Sequence, residues 1–279
     1  MKKNINLNPF IKWAGGKTQL IDEIRLRLPR DIKRYFEPFV GGGAVLFSLK
    51  HKKAFINDIN SQLINTYNSI KNEADKLISL VKTFDSVRCD NEYYLFLKNV
   101  YNKKVSDNIF DVELASLFIW INKHCFNGLY RVNASGVFNV PYNNKTGINS
   151  IDEDNIRNIS KYLRNVDISN LDFEEFCKRV RKGDFVYFDS PYIPVSETSY
   201  FTSYTKTGFS LDDHKRLAKL FNTLDKKGVY LMLSNNDVEL VYELYHDYNI
   251  DVIDVKRNIN SKADKRTGRE VIITNYERF

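Results

Sequence analysis

The sequence predicts an α/β fold with a largely parallel sheet, broken near its middle by a mainly helical insert. Three observations carry this. Short runs of apolar, β-branched and aromatic residues alternate with amphipathic helical patterns at both ends of the chain. Two of those runs lead into chemistry-bearing turns, EPFVGGG at 37–43 and DSPY at 189–192. The middle, about 63–165, holds helical patterns and Asn-rich loops with little strand signal.

The strands are predicted at 35–39 (YFEPF), 54–57 (AFIN), 184–188 (DFVYF), 229–233 (VYLML), 250–255 (IDVIDV) and 271–275 (VIITN). Helices are predicted over 17–28, 43–50, 60–71, 73–84, 111–124, 152–163, 211–227 and 237–246. The domain division that follows is 1–62 plus 166–279 for the α/β body and 63–165 for the insert.

Size and composition bound the function. The 279 residues, 43% hydrophobic, suffice for one large domain with a substantial insert. A net charge of +7 points to an anionic partner, of which nucleic acid is the commonest, or to a generally basic surface. Cys89, Cys125 and Cys177 are odd in number and widely spaced, which argues against a disulfide framework or a zinc site. The four histidines show no metal-ligand spacing. The N-terminus lacks an apolar signal core and no apolar run reaches membrane-spanning length, so a soluble cytoplasmic protein is expected.

The glycine turn after the first strand lets backbone approach a ligand closely and aims helix N–H groups at it. A dinucleotide fingerprint would need Gly41, Gly43 and a third glycine at 46, where Leu46 stands instead. A plain strand–helix turn is the alternative. Asp58 closes the next strand, seventeen positions after Gly41, where an acid in a βαβ unit reaches a ribose hydroxyl pair. The alternative is a helix cap. Gly16-Lys17-Thr18 mimics the tail of a phosphate loop, but Ile11 replaces its first glycine, which excludes a nucleoside triphosphatase of that type. Trp13 beside it offers a stacking surface, or simply a packed ring.

The run DSPY raises the chemistry. A core strand delivers Asp189 to its carboxyl end, where open α/β sheets place ligands. The carboxylate and the Ser190 carbonyl can each accept a hydrogen bond, Pro191 stiffens the turn, and Tyr192 can stack on a flat ring. Such a set fits a planar aromatic amine. The alternative is a polar turn. In the insert, NGLYRVNASGVFNVPY mixes Asn, Arg, Gly and aromatics. Arg131 can read a guanine edge, Asn127 or Asn133 an adenine edge or phosphate, and Phe126 can wedge between bases. An Asn-rich surface loop is the competing reading.

In a fixed order along nearly the whole chain, KWAGGK, EPFVGGG, NDIN, NGLYRVNASGVFNVPY, LDFEEF, YFDSPY and REVIITNY resemble the DNA adenine-N6 methyltransferases of the Dam type, the D12 class. The resemblance implies a Rossmann-like S-adenosylmethionine-dependent fold whose helical insert reads DNA. It places Trp13, Lys17, Phe39, Gly41, Gly43, Asp58, Asp172, Phe173 and Asp189 on cofactor-binding positions. It places Asp189, Ser190, Pro191 and Tyr192 on the catalytic motif. Lys12, Phe126, Asn127, Leu129, Arg131, Asn133 and Pro141 fall on DNA-contacting positions. It suggests GATC in double-stranded DNA as substrate, a cognate restriction endonuclease as a partner, and a monomer or weak dimer in a prokaryotic or phage-infected cell.

One departure stands out. The family motif has Pro where this chain has Ser190, and the added backbone freedom predicts reduced activity. A methyltransferase of another substrate class and a catalytically inert DNA-binding relative are the rival readings. The cationic stretch 260–270 is either a DNA-backbone contact or a solvated loop.

Overall fold

The computed structural model describes residues 6–194, 208–256 and 267–277. Seven strands form one sheet in the order β3-β2-β1-β4-β5-β7-β6. They are β1 (Tyr35–Glu37), β2 (Ala54–Asn57), β3 (Val166–Ser169), β4 (Phe185–Phe188), β5 (Tyr230–Asn236), β6 (Asn249–Lys256) and β7 (Thr267–Thr274). The first five run parallel, and β7 enters antiparallel between β5 and β6. The chain therefore walks outward from β1 through β2 to β3. It then returns to lay β4 on the other side of β1. That reversal falls at the carboxyl ends of β1 and β4, the place where open parallel sheets form a ligand crevice.

Register makes the crevice specific. Tyr35 pairs with Phe185 and Phe36 with Val186, so the turns after β1 and β4 leave the sheet side by side. At the opposite ends a charged clasp holds the pair. Arg34 donates from Nε and Nη2 to the two carboxylate oxygens of Asp184, at 2.9 and 2.5 Å. Asp184 is 1% exposed as a residue and also accepts from the Arg181 backbone N–H.

Side chains alternate between two cores, as the pleat demands. Tyr35, Phe185, Tyr187, Met232 and Ile272 face one core, shared with the helical segment. Phe36, Val186, Phe188, Leu231, Leu233, Val271 and Ile273 face the other. On the second side lie α7 (Phe173–Cys177), α8 (Leu211–Asp225) and α9 (Glu239–Leu244). On the first side lie α1 (Ile21–Leu26), α2 (Ala44–Leu49), α3 (Ser61–Asp85), α4 (Asn91–Ser106), α5 (Val112–His124) and α6 (Glu153–Leu163).

The predicted helices 60–71 and 73–84 are one helix, α3, with a single non-helical residue at Glu73. Leu77, Ile78 and Val81 carry its buried stripe on against α5. Three of the labelled strands and α-helices were not predicted: α4, β3 and the five-residue α7. The helix α4 buries only Tyr94, Leu97 and Tyr101, too narrow a stripe among aromatics and asparagines to stand out by propensity. The edge strand β3 buries only Val166 and alternates with polar residues. The helix predicted over 17–28 is a 3₁₀ turn at Lys17–Gln19 followed by α1.

The helical segment closes on itself through Asp85. This carboxylate accepts from Trp120 Nε1 at 2.9 Å and from the Ser150 hydroxyl and backbone N–H at 2.7 and 3.0 Å. No helix among the described residues is long and apolar enough to cross a membrane.

Breaking the Arg34–Asp184 clasp would leave a carboxylate buried without its cation. Arg34→Ala should lower the stability read from a urea-unfolding midpoint by about 3 kcal/mol. Replacing both partners by apolar residues should cost much less.

Candidate active site

Three clusters gather at the carboxyl edge of β1, β2 and β4. The first surrounds Asp189, which leaves β4 on the face of Tyr187 and Phe185. Lys17 Nζ lies 2.6 Å from Asp189 Oδ1, donates to the Gly15 carbonyl at 2.5 Å, and stands 4.4 Å above the Tyr192 ring. Lys17 is only 5% exposed, so this cation is held rather than solvated. The Ser234 hydroxyl bonds the same Asp189 oxygen at 3.2 Å and meets the Tyr187 hydroxyl at 2.9 Å. Burial raises the Asp189 pKa above the usual carboxylate range, and Lys17 opposes the shift.

The backbone beyond is pinned to the end of β5. The Ile193 N–H donates to Asn235 Oδ1 at 2.9 Å, and Asn236 Nδ2 donates to the Ile193 carbonyl at 2.7 Å. The Ser190 side chain is buried, and its hydroxyl has no hydrogen-bond partner among the described residues. That hydroxyl is thus sealed inside the turn, and it carries a desolvation cost there.

The second cluster is the glycine turn with Asp58. The Gly41 N–H donates to Asp58 Oδ2 at 3.1 Å and the Asn60 N–H to Oδ1 at 2.9 Å. Asp58 thus ties the glycine turn to the segment before α3, whose cap is Asn60 rather than Asp58, and its side chain is half-buried rather than sealed. Burial is the main cause of its raised pKa, about 6, with the backbone donors pulling the other way. Gly41 and Gly43 are both left-handed, at φ 48 and 77. A Cβ on Gly41 would stand 2.8 Å from the Trp13 ring, and one on Gly43 would stand 2.5 Å from the Tyr67 hydroxyl. The glycines thus admit the protein's own rings. Beneath both clusters Glu37 is fully buried and takes a 2.7 Å hydrogen bond from Tyr35. Burial drives its pKa well up, and the nearby Asp189 and Asp58 push the same way, which favours a neutral carboxyl.

The third cluster joins the turns after β1 and β3. The Phe39 and Phe173 rings are 5.5 Å apart, with Phe209 near both at 5.8 and 5.9 Å. Asn57 brings them together. Its amide donates to the Pro38 and Leu171 carbonyls and accepts from the Leu171 N–H. Asp172 caps α7 through the Glu174 N–H and is held by Arg216 at 3.0 Å.

The predicted DNA-reading residues form a hairpin bridged at Val132–Phe138 and Cys125–Tyr142. Asn133 turns its tip: its side-chain oxygen accepts from the Ser135 and Val137 N–H groups, both at 3.0 Å. Arg131 is exposed and donates to Asn139 at 3.1 Å. Phe126 is 54% exposed, its N–H bonded to the Pro141 carbonyl, and Asn127 is left-handed at φ 57. Leu129 is half-buried. Asn122 ties Lys12 to this hairpin, exchanging two 2.9 Å bonds with the Lys12 backbone and donating to the Gly128 carbonyl. Trp13 stacks on Tyr130 at 5.4 Å, so it joins the glycine turn to the hairpin. Residues 260–266 of the cationic stretch lie outside the described residues.

Sequence reasoning missed Glu37, Asn57, Asn122, Ser234, Asn235, Asn236 and Glu270. A signal was present for the β5 group: VYLML runs straight into SNND, a strand delivering polar residues to its carboxyl end as DFVYF delivers Asp189.

With this geometry in view, the family is plain. Residues 13–259 match the family model of D12 class N6 adenine-specific DNA methyltransferases, and the chain belongs to that family. It is 46% identical to the type II methyltransferase M1.LlaDCHI of Lactococcus lactis subsp. cremoris, over 99% of this chain and 98% of that one. It is also 46% identical to the type II methyltransferase M.MjaIII of Methanocaldococcus jannaschii, over 98% of this chain and all of the relative. The DNA adenine methylase of Escherichia coli K12 is 31% identical, over 99% of this chain and 97% of its own length. The chain is accordingly an adenine-specific DNA methyltransferase.

Removing the sealed Ser190 hydroxyl without altering the main chain should stabilise the fold. Ser190→Ala is expected to gain about 1 kcal/mol, read from the urea midpoint.

Proposed function

We propose that this chain transfers a methyl group from S-adenosylmethionine to adenine N6 in double-stranded DNA containing GATC, after flipping the target base out of the helix. We also assign the α/β body (1–62 plus 166–279) as a Rossmann-like catalytic domain and 63–165 as the DNA-recognition segment. The observation that carries the reading is the Lys17–Asp189–Tyr192 cluster, set beside the glycine turn at the one strand reversal of the parallel sheet.

The residues present fit the donor. Asp58 is a half-buried carboxylate whose structural partners are backbone donors, and it suits a ribose hydroxyl pair. Phe39 and Phe173 offer an apolar aromatic wall for a purine. Trp13, Gly41 and Gly43 shape the floor between these groups and the hairpin. When bound, the donor's sulfonium supplies an already activated methyl group.

The protein's work is then positioning and charge. An enzyme acting on a base must take it out of the stack. Tyr192 stacks on the extruded adenine. Asp189 and the Ser190 carbonyl accept the two N6 hydrogens, turning the nitrogen lone pair towards the methyl carbon. Lys17 keeps the buried carboxylate ionised against its desolvation. After transfer N6 carries one proton too many, and that proton leaves through Asp189 or water. On the DNA side Lys12, Phe126, Asn127, Leu129, Arg131, Asn133 and Pro141 lie on or beside the hairpin, where Arg131 can fork onto a guanine edge. The related type II methyltransferases support a cognate endonuclease sharing the site.

The test is transfer of labelled methyl to two duplexes that differ only in GATC, with the product nucleoside identified. N6-methyladenine on the GATC duplex alone is expected. Transfer to both duplexes, or to another sequence, overturns the GATC assignment. Asp189→Ala should lower the transfer rate by about 10²–10³-fold, the scale of losing one preorganised electrostatic partner. Duplex binding should survive that change.

Asp58 gives a pH dependence. Its carboxylate is ionised above about 6 and takes up a proton below. Donor affinity should therefore fall as pH drops through that value, and Asp58→Asn should flatten the profile. The sign for stability is opposite. A carboxylate whose folded pKa is raised contributes fully below its unfolded value, and that contribution is lost as pH rises through about 6. Calorimetric donor titrations between pH 5 and 8 would read the first effect.

A further inference from the structure

One carboxylate at the rim, Glu270, takes no direct part in the proposed transfer. It lies on β7, the strand that runs antiparallel between β5 and β6. Alternation along β7 puts Val271 and Ile273 on the far core and Ile272 on the near one. Glu270 shares the parity of Ile272, so its side chain rises on the face that carries Tyr187, Ser234 and Asp189. It pairs with Asn236 in the register that also pairs Asn235 with Val271.

From that place Glu270 Oε2 accepts the Tyr192 phenol at 2.8 Å. Tyr192 needs an external anchor, because it lies beyond the end of β4 and no ladder bond orients it. Three contacts fix the ring. Asn235 and Asn236 hold the adjacent Ile193 backbone, Lys17 sits over the ring face, and Glu270 holds the far tip. The backbone bonds set where the ring begins, and the phenol bond sets which way its plane faces. A carboxylate acceptor makes that bond stronger than a neutral one would.

We propose that Glu270 is a positioning residue. It locks the plane of Tyr192, and through that ring the plane of the extruded adenine, so that N6 meets Asp189 and the methyl group in line. It touches neither adenine nor donor. The proposal rests on the reading of Tyr192 as the stacking platform.

The test uses the full chain with Glu270→Ala, Glu270→Gln, Tyr192→Phe, Tyr192→Ala and the Glu270→Ala/Tyr192→Phe double variant. Single-turnover methyl transfer at saturating DNA and donor is measured beside both dissociation constants. The fluorescence of 2-aminopurine at the target position is followed in parallel. Glu270→Ala is expected to slow transfer roughly ten- to a hundredfold, the scale of a small misplacement of reacting atoms. Both dissociation constants should stay unchanged, and the 2-aminopurine signal of the bound complex should shift. Tyr192→Phe deletes the same bond from the other side and should show the same loss. The double variant should be no slower than either single one, because both remove one interaction. Glu270→Gln keeps an acceptor oxygen and should recover most of the rate.

Wild-type transfer by Glu270→Ala or by Tyr192→Phe overturns the proposal. So does a double variant whose losses multiply, or a loss confined to DNA or donor affinity. Should Glu270→Ala fail to fold, Tyr192→Phe decides alone. The two readings fail separately. Near-normal transfer by Tyr192→Ala removes the stacking platform itself. An inactive Tyr192→Ala beside a fully active Glu270→Ala keeps the platform and removes only the role of Glu270.

Discussion

The parallel pairing of β1 with β4 is the constraint on which the site depends. The two strands are separated by more than half the chain, yet Tyr35 must lie against Phe185 for the glycine turn and the Asp189 loop to emerge together. The clasp of Arg34 on Asp184 gives that pairing a polar reason as well as an apolar one. A carboxylate buried that deeply is costly without its cation, and the cation arrives only when β1 and β4 are in register. Misregister by one residue would turn Tyr187 and Asp189 to the opposite face and leave the crevice empty.

From that pairing the rest of the edge is assembled by side chains that tie loops rather than elements. Asn57 joins the turns after β1 and β3, Asn122 joins the N-terminal strap to the hairpin, and Asn235 with Asn236 joins the ends of β4 and β5. An amide suits this task because it offers donors and an acceptor from one short, uncharged side chain. Buried in loops, such residues satisfy backbone groups that have no ladder partner. They also explain how irregular backbone can be held still.

Charge in the crevice is arranged with equal economy. Four carboxylates stand near one another: Glu37, Asp58, Asp189 and Glu270. Ionising all of them together would be expensive at low dielectric. Burial favours the neutral form of Glu37, Lys17 supports Asp189, and Asp58 rests on backbone N–H groups.

Much of this was written in the sequence. The strands 54–57 and 184–188 are legible because a buried parallel strand needs an unbroken apolar run, and Asp58 and Asp189 because they interrupt such runs at the end. The order of short motifs identified the family without any structure. The helix α4 and the edge strand β3 were not legible, since each buries too little to imprint a period. Nor were Glu270 and Asn122, whose residue types are common and whose partners lie far away along the chain. Local sequence records what each residue contributes to its own turn or strand. Which carboxylate meets which lysine or phenol is decided only when distant strands are paired and their pleats aligned. Sheet register is a property of the whole chain, and no single segment contains it.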